Sequence, residues 1–132
     1  MKQTSRSKEQ PVYKKAMEIV RITQAIIERM DRDKDVLGVR NAMFENACML
    51  GAKIAGTEAT NLYSVKMQNA VVIKMAACDL LAQTSICKEE ELADPDFIDV
   101  FRDEIEDFRK LFVDWINDFD KKKDIDDGWG LF

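Results

Sequence analysis

Apolar residues return at steps of three and four along most of the chain, and polar or charged residues fill the positions between them. From Pro11 to about Met30, Val12, Tyr13, Ala16, Val20, Ile27 and Met30 keep close to that step, with Ile19, Ile22 and Ile26 widening the stripe. The width predicts a first helix in contact with more than one neighbour. Pro11 suits its first turn, where no backbone N–H is needed. The cluster Asp31-Arg32-Asp33-Lys34-Asp35 reads as a turn whose carboxylates cap the next helix.

A second helix is expected from about Val36 to Ala55, with Leu37, Val39, Met43, Phe44, Ala47, Leu50, Ile54 and Ala55 as its apolar positions. Gly51, Ala52, Ala55 and Gly56 crowd small residues near its end. They fit either a close approach of two helices or a fraying, glycine-capped terminus, and both readings stay open. After the turn Gly56 to Thr60, a third helix is expected from Asn61 to about Ser85. Its apolar residues run nearly all the way round: Leu62, Tyr63, Val65, Met67, Ala70 to Ile73, Met75 to Ala77, Leu80 and Leu81. Such a helix needs burial on most sides, either centrally in a bundle or against another subunit.

Ile86 to Asp94 is expected to be the longest connection. Asp94-Pro95 then marks a helix start, with Asp at the N-cap and Pro in the first turn. In the fourth helix, from Pro95 to about Lys121, the residues Ile98, Phe101, Ile105, Phe108, Phe112, Trp115 and Phe119 step alternately by three and four, a heptad seam of bulky knobs. At 1.5 Å per residue this helix is roughly 40 Å long. The predicted fold class is therefore all-α: an elongated, antiparallel up-down-up-down four-helix bundle over residues 11–121. A flexible arm, residues 1–10, precedes it, and an acidic and aromatic tail, residues 122–132, follows.

Composition agrees with one helical domain. The chain has 132 residues, 34% charged, with only 5 Gly and 2 Pro, too few turn-formers for a sandwich or barrel of many short strands. It contains no His, which removes Ser-His-Asp and Cys-His nucleophile systems, His-ligated zinc and the Glu-x-x-His di-iron pattern. No glycine-rich phosphate loop occurs. Asp99, Asp103, Glu106, Asp107 and Asp114 fall away from the seam and read as a solvated face. No catalytic residue, cofactor or metal site is expected, and the chain reads as not an enzyme.

Cys48 and Cys78 lie in apolar helices and are expected to be buried. Cys87, beside Lys88 in the expected loop, is the one thiol expected at the surface. Three cysteines without a C-x-x-C pair fit a reducing cytoplasm. No leader peptide or membrane-spanning run is read from the sequence.

The net charge of -5 conceals a split. Met1 to Cys87 holds 13 basic and 9 acidic residues, a balance of +4, whereas Lys88 to Phe132 holds 7 and 16, a balance of -9. The basic residues of the first three helices include Lys14, Lys15, Arg21, Arg29, Arg40, Lys53, Lys66 and Lys74. They serve either as surface charge paired with the acidic fourth helix or as a nucleic-acid-contacting surface formed when several copies align. Lys66 and Lys74 interrupt the apolar third helix and must reach water, pair with an acid or face a ligand. In the tail, Ile125, Trp129, Leu131 and Phe132 are candidate docking residues for the same bundle, a neighbouring subunit or another protein.

Two stretches carry a likeness. Ala47 to Gly56 (ACMLGAKIAG) resembles the alanine-rich stretch ending in Asn-Ile-Ala-Glu-Gly of the bacterial four-helix-bundle proteins encoded in intervening sequences of large-subunit ribosomal RNA genes. Related to these are the accessory variability proteins of diversity-generating retroelements. Tyr63 to Leu81 is similar to that family's aromatic-led helix with small residues before an acid and Leu, a place Asp79-Leu80 fills. Lys53 stands where the family has Asn and Gly56 where it has Glu, and the acidic fourth helix is longer than the family's. The resemblance implies a left-handed up-down bundle, assembly into a ring (a homopentamer in several members), no enzymatic activity, and nucleic-acid binding on a basic surface. Two functions are thus expected from sequence. One is a non-enzymatic, oligomeric, RNA- or DNA-associated accessory protein. The other is a protein-interaction scaffold using the acidic fourth helix and the aromatic tail.

Overall fold

A computed structural model describes residues 10–126 and 128–130. Among them four α-helices account for the secondary structure: α1 (Pro11–Arg29), α2 (Val39–Glu58), α3 (Tyr63–Glu89) and α4 (Pro95–Asn117). Each packs against two others, α1 on α2 and α4, and α3 on α2 and α4, so the four close into a bundle. With 27 residues, α3 is about 40 Å long. The expected arm lies outside the described residues except for Gln10.

The core joins one stripe from each helix, the one on α4 as its steps of three and four anticipated. Val12, Ala16, Ile19 and Ile26 of α1 meet Met43, Ala47, Leu50 and Ile54 of α2, Ile73 and Leu80 of α3, and Ile98, Phe101, Ile105 and Phe108 of α4. Down the α4 seam, Phe108, Phe112, Trp115 and Phe119 form a run of ring contacts, ending edge-on between Trp115 and Phe119 with centroids 4.9 Å apart. The buried hydroxyls of Thr23 and Thr57 donate to the carbonyls four residues earlier, and that of Thr84 to Leu81, so none is left unpaired.

Contacts at the helix ends fix how neighbours meet. Arg40 Nε, at the start of α2, donates to the Ile27 carbonyl near the end of α1. Lys88, near the end of α3, pairs with Asp99 near the start of α4. At the opposite end of the molecule the Tyr63 N–H donates to the carbonyl of Lys123, beyond the end of α4.

Several boundaries differ from expectation. The second helix begins at Val39 rather than Val36, because Asp35 accepts from the N–H groups of both Val39 and Arg40 while Gly38 takes a left-handed conformation (φ 69°). Val36 and Leu37 consequently lie in the turn and are exposed, so Leu37 is not a core position. The same helix continues to Glu58, which places Gly51 and Gly56 inside it rather than at a cap. At Gly51 an added Cβ would come within 2.8 Å of the Met17 methyl, so the small residue serves a close approach to α1.

The third helix does not stop at Ser85 but runs to Glu89, leaving residues 90–94 as the connection. It closes with the N–H of Leu92 on the Cys87 carbonyl and that of Glu91 on the Lys88 carbonyl. This is a Schellman ending whose left-handed position, usually glycine, is Glu91 at φ 53°. The fourth helix ends at Asn117 rather than Lys121. There Asp120 accepts from the Lys122 N–H and turns the chain back toward α3.

Candidate functional site

The expected all-round burial of α3 does not occur within one chain. Ala70, Ile73, Ala76, Leu80, Thr84 and Cys87 form its buried stripe, while Val71 and Met75 on the outer side are 48% and 60% exposed. On α2, Phe44 and Met49 are exposed as well. By length and composition alone α3 is apolar enough to cross a membrane, with a mean hydropathy of 1.5 over 18 residues, although it carries Lys74 and Asp79 and packs one side into the core.

Between α3 and α4 lies an apolar groove of about 280 Å³, lined by Ile73, Ala77 and Leu81 on one side and Ile105, Phe108 and Phe112 on the other. It exists because the Phe rings of α4 oppose a small residue, Ala77, which cannot fill the space between the helices. Lys74 and Arg109 stand on its rim. Arg109 Nε donates to both carboxylate oxygens of Glu106, at 2.9 and 3.0 Å. That pairing holds the Glu106 carboxyl below and the Arg109 guanidinium above their usual ranges. Among the described residues Lys74 has no ion-pair partner.

The basic residues divide by employment. Lys15 bridges Glu104 of α4 at 2.8 Å and Glu18 at 2.9 Å, and these two carboxylates, Glu104 first, raise its ammonium well above the usual lysine range. Arg29 lies over the Phe97 ring at 5.7 Å, and Lys66 over Phe119 at 5.1 Å. Arg40 is tied to the end of α1 by its bond to Ile27. Each of these four has a partner within the chain. Lys14 and Arg21 line one shallow surface depression with Tyr13, Met17 and Glu18. Lys53 is half-buried on α2, and Lys74 is exposed on α3.

The thiols are placed the other way round from expectation. Cys48 and Cys78 are exposed and Cys87 is buried. Cys48 follows Ala47 by one residue, a rotation of about 100° out of the core stripe, and Cys78 falls midway between Ala76 and Leu80 on the outer side. Because α3 runs on past Ser85, Cys87 lands three residues after Thr84 on the buried stripe, with Sγ 3.7 Å from Met43 Sδ. Burial, with Asp35 adding a smaller effect, pushes its thiol up to about 11.

The tail begins as a cap for another helix. Asp124 accepts from the Ser64 hydroxyl at 2.8 Å and the Ser64 N–H at 3.3 Å, covering the start of α3, which has no side-chain cap of its own. Beside it, Trp115 Nε1 donates to Glu58 at 2.7 Å. Neither contact was signalled in the sequence, since each joins residues about 60 positions apart. Past this anchor Ile125 and Trp129 are 66% and 81% exposed. Leu131 and Phe132 lie outside the described residues.

No protein-family model matches the chain, and no curated protein matches it.

Proposed function

We propose that this chain is a non-enzymatic four-helix-bundle protein of the bacterial cytoplasm that assembles with copies of itself and acts as a nucleic-acid-associated accessory factor. The observation that carries the reading is the exposure of large apolar side chains, Val71 and Met75 on α3 and Phe44 and Met49 on α2. Covering apolar surface returns about 25 cal/mol per Å², which makes a copy-to-copy contact the economical use of side chains that a lone chain leaves in water. Closed symmetry is the usual outcome of such a contact. The likeness of Ala47–Gly56 and Tyr63–Leu81 to the ribosomal intervening-sequence and retroelement accessory proteins supports a ring, of five copies on that resemblance, and an up-down-up-down course. The lack of His, which removes the Ser-His-Asp and Cys-His systems, supports a role without catalysis.

The nucleic-acid part rests on Lys14 and Arg21, which share one exposed depression and become a repeated basic feature once copies align. Light scattering is expected to give a mass of several chains, and Met75→Asp to reduce it to one while helical circular dichroism is kept. A one-chain mass for the unmodified protein overturns the assembly. Structured RNA and duplex DNA are expected to bind more weakly as salt rises, with Lys14→Ala/Arg21→Ala lowering the salt slope; undetectable binding at low salt overturns the nucleic-acid role.

A further inference from the structure

We propose that the groove between α3 and α4 binds a small single-chain amphipathic anion, a free medium-chain fatty acid, with its carboxylate at Lys74 and its chain along the phenylalanine rings. The lining, the length and the charge of the groove each restrict what can occupy it.

The floor is apolar on both sides. Ile73, Ala77 and Leu81 face Ile105, Phe108 and Phe112, and none of these side chains donates or accepts a hydrogen bond. A ligand therefore gains here by leaving water, as an acyl chain does.

The register of the two helices gives the length. Arg102 of α4 meets Thr84 of α3, with Lys88–Asp99 at one end of the pair and Tyr63–Lys123 at the other. Equal steps from that contact set Leu81 level with Ile105 and Lys74 level with Phe112. From Ile73 to Leu81 the floor is about 12 Å long at 1.5 Å per residue. An extended chain advances roughly 1.2 Å per single bond, so about ten carbons in one file fit. At about 280 Å³ the groove stands at the small end of ligand sites and has no room for a two-tailed lipid.

Charge selects the head. Lys74, Glu106 and Arg109 are the charged side chains on the groove, and Arg109 Nε donates to both carboxylate oxygens of Glu106, so those two cancel. Lys74 is left over: it is exposed at the Phe112 end, and among the described residues it has no ion-pair or hydrogen-bond partner. A carboxylate supplies the charge that Lys74 lacks, whereas an ammonium head meets it with like charge.

The test uses the full chain and its exposed thiols, of which Cys78 lines the groove and Cys48, on α2, does not. Maleimide labelling of each is followed by peptide mass spectrometry with hexanoate, octanoate, decanoate or tetradecanoate added below micelle-forming concentrations. Decanoate is expected to slow the labelling of Cys78 and not of Cys48. Affinity is expected to rise about 4-fold per added methylene and to level off near ten carbons, where further methylenes stay in water. Ala77→Leu, which grows into the groove, is expected to abolish the protection. Lys74→Gln, at an exposed position, keeps the test valid should Ala77→Leu disturb the fold; it is expected to weaken decanoate about 2- to 5-fold, the scale of an exposed charge pair, and to leave decan-1-ol unchanged. Absence of protection at millimolar decanoate overturns the site, as does equal protection of both thiols or protection that neither variant reduces. Decan-1-ol binding as tightly as decanoate overturns the anionic head. A Cys78 that resists labelling without added ligand, while Cys48 reacts, assigns the groove to a contact between copies and overturns the ligand.

Discussion

The third helix has two neighbours and treats them differently. Of the helix pairings in the bundle, that of α2 with α3 is the most extensive and that of α3 with α4 the least. Along the first seam Met43 touches Cys87, the Asn46 side chain donates to Gln83 at 3.3 Å, and Asn69 lies close against Gly56. Along the second, Arg102 reaches across to the Thr84 hydroxyl at 2.6 Å and Lys88 pairs with Asp99, but between Ile73 and Phe112 the helices part around the groove. Side-chain size sets the separation of packed helices, and the phenylalanines of α4 hold it off where the small residues of α2 allow approach. One helix can therefore be locked into a core on one side and keep a receptive surface on the other.

Mutations at the seams separate these cases. Phe108→Ala, at a side chain 2% exposed, is expected to cost about 3–5 kcal/mol by urea unfolding, while Phe112→Ala, half-buried at the groove, costs clearly less. Equal losses would mean that the groove is packed as tightly as the core. Added volume gives the next contrast. Gly51→Leu must displace Met17 and is expected to lose about 1–3 kcal/mol, whereas Ala77→Leu grows into the groove and stays within about 0.5 kcal/mol of the parent.

The turn between the seams carries a smaller effect. Glu91→Gly removes the left-handed strain that ends α3 and is expected to add about 0.5–1 kcal/mol, read as a higher denaturation midpoint. Unchanged stability would show that Leu92, buried behind it, already compensates fully.

Thiol chemistry sharpens the comparison without disturbing packing. Cys78 on the groove and Cys48 on α2 are expected to label with maleimide in the native protein at neutral pH, and Cys87 only after unfolding. The folded Cys87 thiol titrates near 11, above its ordinary value of 9.0, so its contribution is fully present below about pH 9 and is lost as pH rises through 11. Urea midpoints measured from pH 8 to 11 should fall more steeply for the parent than for Cys87→Ala. Parallel curves would place that thiol in contact with water.

Local signals of this fold were open to reading in the chain. The alternating steps from Ile98 to Trp115 yielded the buried face of α4, with Phe112 alone half-buried and Phe119 buried just past its end, and Asp94-Pro95 marked its start, where Asp94 accepts from the Asp96 N–H at 2.9 Å. Asp35 served as the cap that its cluster implied, though for a helix beginning three residues later. The end of α3 was not legible, because a glutamate occupies the left-handed position where glycine would have marked the stop. The misplaced end moved Cys87 from a loop to the core. Counting the stripe through Ala76 and Leu80 would have put Cys78 outside, but a helix apolar nearly all round offers no polar face to set the phase.

By itself, then, the sequence determined the four helices, the core stripe of α4 and the split between a basic body and an acidic fourth helix. Such properties depend on residues within a turn or two of one another, where periodicity and capping act. Tertiary structure alone decided which lysines and arginines are spent inside the bundle, that Asp124 caps the start of α3, and that Ala77 faces phenylalanines across an open groove. Each of those depends on the distance between two helices, and that distance follows from the fit of all the side chains between them.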